Sequence, residues 1–108
     1  MNLSTDIWVY ALLRRVQLAG SNAAIVRKGD ATGGAVIVRT WNPRDREARL
    51  YALAQSGDGD TVWMQPLAGA TEPDLDAYAT RAARRDPDVW IVEIEDVDGK
   101  RFLTEDVD

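Results

Sequence analysis

"RKGDATGGAVIV", residues 27–38, is the stretch on which the fold turns. Gly29 and Gly34 have the glycine spacing of a P-loop, which needs GxxxxGK[ST] at the opening of a helix. The residues that follow argue against that reading. Ala35 and Val36 stand where Lys and Ser/Thr are required, and Lys28 lies before the loop. Val36, Ile37 and Val38 form a β-branched run that favours a strand over a helix. The stretch therefore reads as strand, turn, strand. Its glycines supply the permissive backbone of a chain reversal, with φ > 0 expected at Gly34. No nucleotide site is assigned to it.

The flanks extend this pattern. Upstream, "STDIWVYALLRRVQLAG" (4–20) reads as a helix. Ser4 or Thr5 caps it, Asp6 suits the first turn, and Trp8, Ala11, Leu12, Val16 and Ala19 follow helical spacing. Gly20 suits a left-handed stop. Four strand-like runs follow: "AAIVRK" (23–28), "AVIVRTW" (35–41), "ARLYALAQ" (48–55) and "TVWMQPL" (61–67). Their separators "GDATGG", "NPRDRE" and "SGDGD" are turn chemistry, and short connections predict an antiparallel meander. Pro66 should end the fourth strand.

Thr71–Glu72–Pro73–Asp74 opens a second helix as a capping-box variant. Leu75, Tyr78, Ala79, Ala82 and Ala83 form its apolar stripe, and Asp86–Pro87 stops it. "DVWIVEIED" (88–96) reads as a strand. Asp98–Gly99 then predicts a two-residue hairpin that sets Ile94 opposite Leu103 and Asp96 opposite Arg101. Residues 105–108 are expected to fray. The fold class is therefore α+β: an antiparallel sheet of four to six strands with two helices on one face, in the order α-β-β-β-β-α-β-β, as one domain over 1–108.

Composition narrows the chemistry. The chain of 108 residues has no histidine and no cysteine. Histidine-based triads, Cys–His catalysis, HExxH zinc sites and disulfides cannot be built from it. The longest apolar run, "IWVYALL" (7–13), is far below the roughly 18 residues of a membrane span. A cytoplasmic location is expected. Net charge is −5, with nine acids in 86–108 against Lys100 and Arg101. An acidic chain is repelled by nucleic acid, so no nucleic-acid partner is expected.

"IWVYALLRR", "VRKGDATGGAVIV", "LYALAQ" and "RDPDVWIVEIED" with "RFL" together resemble the domain of unknown function 1491 family, small proteins of alphaproteobacteria. The most specific piece is Asp86-Pro87-Asp88-Val89-Trp90 running into Val92-Glu93-Ile94-Glu95-Asp96. The resemblance spans Ile7 to about Leu103. It implies a single bacterial cytoplasmic domain and carries over no activity, cofactor or site residue.

Three further patterns bear on chemistry. Asp96, Asp98, Gly99 and Glu105 fill the third, fifth, sixth and twelfth places of a calcium loop, but Ile94 stands first and Arg101 lies inside. Glu93 and Glu95 share one strand face, as carboxylates on solvated sheets commonly do. Arginines are more suggestive. Arg14 and Arg15 end the first helix, Arg81, Arg84 and Arg85 end the second, and Arg27 and Lys28 enter the glycine loop. Were the helix ends adjacent, they would form a patch for an acidic partner. Of four tryptophans, Trp8 and Trp90 sit on apolar stripes. Trp41 and Trp63 lie on more polar ground, where one exposed ring would favour an interface.

No catalytic, cofactor-binding or metal-binding residue is assigned. The sequence favours a non-catalytic interaction or adaptor module, binding a protein partner or itself. The candidate surface is Arg14, Arg15, Arg27, Lys28, Trp41, Trp63, Arg81, Arg84 and Arg85. The alternative is a small ligand-binding protein or enzyme using Asp/Glu and Arg.

Overall fold

The structure, a computed structural model, describes residues 4–55, 61–67, 69, 71–103 and 106–107. Helix α1 spans Thr5–Leu18, followed by strands β1 (Asn22–Arg27), β2 (Val36–Asn42), β3 (Glu47–Gln55) and β4 (Thr61–Met64). Helix α2 spans Glu72–Arg85. Strand β5 (Trp90–Glu95), a 3-10 turn (Gly99–Phe102) and the two-residue strand β6 (Asp106–Val107) complete the chain. The fold is α+β, with a sheet in the order β1-β5-β2-β3-β4-β6.

The expected meander is correct for β2, β3 and β4, which pair antiparallel in succession. It is wrong for β1 and β2. Strand β5 lies between them, antiparallel to β1 and parallel to β2. Residues 28–35 therefore cross over one strand, about 9.6 Å, rather than reversing between neighbours. The pattern carries a reason for this. "VIV" in β2 and "WIV" in β5 are buried on every residue, as strands covered on both faces are.

The two helices cover opposite faces, which corrects the expectation that they share one. Trp8, Val9, Leu12 and Val16 of α1 pack with Val36, Val38, Tyr51, Trp63, Trp90, Val92 and Ile94. Leu75 of α2 packs with Ile37, Leu50, Val89 and Ile91, and Tyr78, Ala79, Ala82 and Ala83 adjoin that cluster. The predicted stripe of α2 is thus its buried side. Pro73 occupies its first turn, and β4 ends before Pro66. Gly20 adopts φ +82 behind α1 as its role in the stop requires.

The glycine loop closes against the entrance of α1 on one side and the junction between α2 and β5 on the other. Its carbonyls at Thr32 and Ala31 accept from the Thr5 and Asp6 amides at 3.2 and 2.9 Å. Those are α1 N-terminal donors, so the loop caps the helix beside it. On the other side, Asp30 N–H donates to the Asp88 carbonyl at 3.0 Å, and Trp90 Nε1 donates to the Asp30 carbonyl at 2.8 Å. A Cβ on Gly29 or on Gly34 would lie 2.1 Å from the Asp88 carbonyl oxygen. Close backbone approach makes these positions glycine. Gly34 does not have the positive φ expected of it; among the described glycines only Gly20 and Gly69 do.

The Asp98–Gly99 hairpin does not form. Gly99 opens the 3-10 turn and is buried against Thr40, where a Cβ would come 2.7 Å from Thr40 Cγ2. The turn sends Phe102 and Leu103 into the α1-side core instead of into a returning strand. Ile94 and Leu103 are not cross-strand partners, although Asp96 and Arg101 do meet through their side chains. The "SGDGD" turn (56–60) lies outside the described residues, as do Glu105 and Asp108 of the end expected to fray. Asp106–Val107, within that end, pair parallel to β4.

Candidate functional site

Two concave surfaces are built from the sheet. A polar cleft of about 200 Å³ opens beyond the C-terminal ends of the parallel pair β2 and β5. Asp45, Glu47, Asp96 and Asp98 line it with Arg49, Lys100 and Tyr51. Asp96 anchors its wall. Arg101 Nε and Nη2 donate to the two Asp96 oxygens at 3.1 and 3.0 Å, Ser21 Oγ donates to Oδ1, and the Asp98 amide donates at 2.8 Å. The Arg101 hydrogen bonds chiefly, with help from Ser21 and the Asp98 amide, hold the Asp96 carboxyl at a pKa of about 2 against burial. Arg101 also lies 4.4 Å over the Phe102 ring. The first carboxylate of the calcium pattern is therefore already satisfied by the arginine inside its own loop. Burial pushes the Tyr51 phenol above its ordinary value, so it stays protonated at neutral pH.

The second surface is a groove of about 540 Å³ between α2 and the β1–β5 side of the sheet. Its apolar lining is Val26, Ile91, Ala79 and Ala83, and Arg27, Arg39, Arg84, Asp76 and Glu93 border it. The β1–β5 register shifts between Ile25 and Arg27, which leaves Val26 outside the regular pairing. Val26 is 57% exposed. Strand β1 is also the end of the sheet, with β5 as its one strand neighbour among the described residues.

The expected arginine patch divides between the faces. Arg14 and Arg15 lie on α1, on the side opposite α2. Arg14 is exposed, whereas Arg15 Nη2 donates to the Phe102 carbonyl at 3.1 Å. Arg81, Arg84 and Arg85 are exposed on α2. The groove brings Arg27 and Arg84 together, with exposed Lys28 following Arg27 in sequence. Arg27 Nη1 donates to the carbonyls of Pro87 and Val89 at 3.0 and 2.8 Å, which fixes it at the groove's end. Trp63 is fully buried, with its ring 5.6 Å from that of Trp8, and so is core and not surface. Trp41 is half-buried in a separate hollow beside the start of α2.

A family model described as "Protein of unknown function (DUF1491)" matches residues 3–104. The chain belongs to the DUF1491 family. The crystal structure of a DUF1491 family protein from Caulobacter crescentus, an alphaproteobacterium, is 59% identical. It superposes with a TM-score of 0.91 over 98% of this chain and 99% of its own. A solution structure of a protein from A. tumefaciens is 34% identical, with a TM-score of 0.81 over 97% and 95% of the two chains. Among curated proteins nothing matches. No helix among the described residues is long and apolar enough to cross a membrane.

In this DUF1491 chain, sequence reasoning missed Arg39 and Val26. Arg39 follows the buried run of β2 on the α2 side, where it pairs with Glu72 at 2.7 Å and with Asp76. It was legible as a charge two residues beyond Ile37, hence on the same face. The exposure of Val26 was not legible, because it depends on which strand ends the sheet.

Proposed function

We propose that this chain is a non-catalytic protein-association module that works through the open β1 edge and the adjoining α2 groove. The observation that carries this reading is Val26, an apolar side chain displayed at a sheet edge above an apolar groove with Arg27 and Arg84 beside it. An uncovered strand edge offers main-chain hydrogen bonds, and the groove offers a place for side chains. The chemistry of the polar cleft favours this reading over an enzyme. Its buried carboxyl, Asp96, is ion-paired and held far below neutral pH, so it anchors the wall and is no general acid.

A photo-crosslinking amino acid placed at Val26, and at Arg44 on the β2–β3 turn as control, tests the reading in cells. Protein adducts at position 26 that are absent at position 44 are expected. If position 26 yields no adduct above the control, the edge is not an association surface.

A further inference from the structure

We propose that the occupant of the β1 edge is the β1 edge of a second copy of this chain, antiparallel across a two-fold axis. This inference rests on the association reading above and names its partner.

The argument starts from the strand itself. Asn22–Arg27 reads NAAIVR, with no lysine or proline inside it to blunt the edge. The register shift lies at its C-terminal end and leaves Asn22–Ile25 in regular pairing with β5. Charge is distributed unequally along it. The C-terminal end carries Arg27, followed by the exposed Lys28. At the N-terminal end, Asn22 and Ala24 lie beside Glu95 and Glu93 of β5. These two carboxylates are exposed and make no ion pair among the described residues. An edge whose strand is basic at one end and flanked by its neighbour's carboxylates at the other is self-complementary when paired antiparallel, because a two-fold axis sets each end against its opposite.

Shape agrees with charge. The small side chains of Asn22, Ala23 and Ala24, with Glu93 and Glu95, line a shallow hollow of about 190 Å³ on the acidic half of the edge. The basic half instead projects Val26. Directly opposed residues in an antiparallel pair share a face of the sheet, so an axis at Ala24 pairs Asn22 of each copy with Val26 of the other. Val26 then fills the hollow of the second copy, and Lys28, just beyond it, approaches the Glu95 that lies beside Asn22 there. The contact occurs twice. A copy running parallel would set like charges side by side.

Sedimentation of the purified chain tests this, together with a charge swap. The wild-type chain is expected at twice its 12.0 kDa mass. Lys28→Glu, and separately Glu95→Lys, should each halve that mass, with thermal melts confirming that both variants remain folded. Mixing the two variants should restore the dimer, since in the mixed pair each contact again joins opposite charges. Wild-type protein that sediments as a monomer, or variants that stay dimeric, would overturn the proposal. The adducts at position 26 separate the two levels of inference. Adducts containing two copies of this chain support self-pairing. Adducts to a different protein alone overturn it and leave the association reading intact, and no adducts overturn both.

Discussion

Replacing Asp96 with asparagine tests whether a single ion pair ties the end of β5 to the 3-10 turn behind it. Asp96 is 8% exposed and accepts from Arg101, Ser21 and the Asp98 amide. Its carboxyl is lowered from 3.8 to about 2. At about 1.4 kcal/mol per tenfold change in proton affinity, that drop corresponds to roughly 2.5 kcal/mol. The Arg101 side chain is 49% exposed, so water screens its half of the pair and reduces the value to about 1–2 kcal/mol. The direction with pH follows from the sign of the change. A carboxyl with a depressed folded-state pKa stabilises the fold fully above its unfolded value of 3.8, and that stabilisation disappears as pH falls through about 2. Urea melts of wild type and Asp96→Asn should therefore differ by about 1–2 kcal/mol from neutral pH down to about pH 5, with the difference shrinking towards zero near pH 2. A difference that stays flat across the whole range would show that the residue acts through neutral hydrogen bonding and packing, and the electrostatic argument would fail. A neutral-pH difference below about 0.5 kcal/mol would show that the pair contributes nothing of note.

The two kinds of glycine should separate in the same melts. Gly34→Ala sets a Cβ 2.1 Å from the Asp88 carbonyl and should cost about 3 kcal/mol or more, whereas Gly20→Ala meets open space and bears only the left-handed strain, about 1–2 kcal/mol. The reverse ranking would refute the close-approach argument. Trp63→Ala should cost about 3–5 kcal/mol and Trp41→Ala about 1 kcal/mol, because only the first ring is fully buried; comparable losses would contradict the burial difference. Arg39→Gln should cost about 1 kcal/mol at low salt and less at high salt, since its partners Glu72 and Asp76 are half exposed. A salt-independent loss would mean that Arg39 acts through its aliphatic stem.

What the sequence determined by itself is local. The stripe of Leu75, Tyr78, Ala79, Ala82 and Ala83, the stop at Gly20 and the end of β4 before Pro66 each follow from spacing or from one residue's backbone preference. The DUF1491 membership was legible in the same way, from runs of residues such as "DPDVWIVEIED". The tertiary structure alone decided which strands are neighbours. Period and turn chemistry show that a segment is extended, yet an open turn such as "GDATGG" is equally compatible with reversing between neighbours and with crossing a strand. Burial resolves the choice. "VIV" of β2 and "WIV" of β5 have apolar groups on both faces, and adjacent central places with one helix above and one below cover them all. That arrangement pushes β1 to the edge, parts the arginines of α1 from those of α2 and buries Trp63. The candidate surface was legible only in Arg27, Lys28 and Arg84. Its decisive member, Val26, shares the exposed face of Asn22 and Ala24, and that face is open because long-range pairing placed β1 last in the sheet.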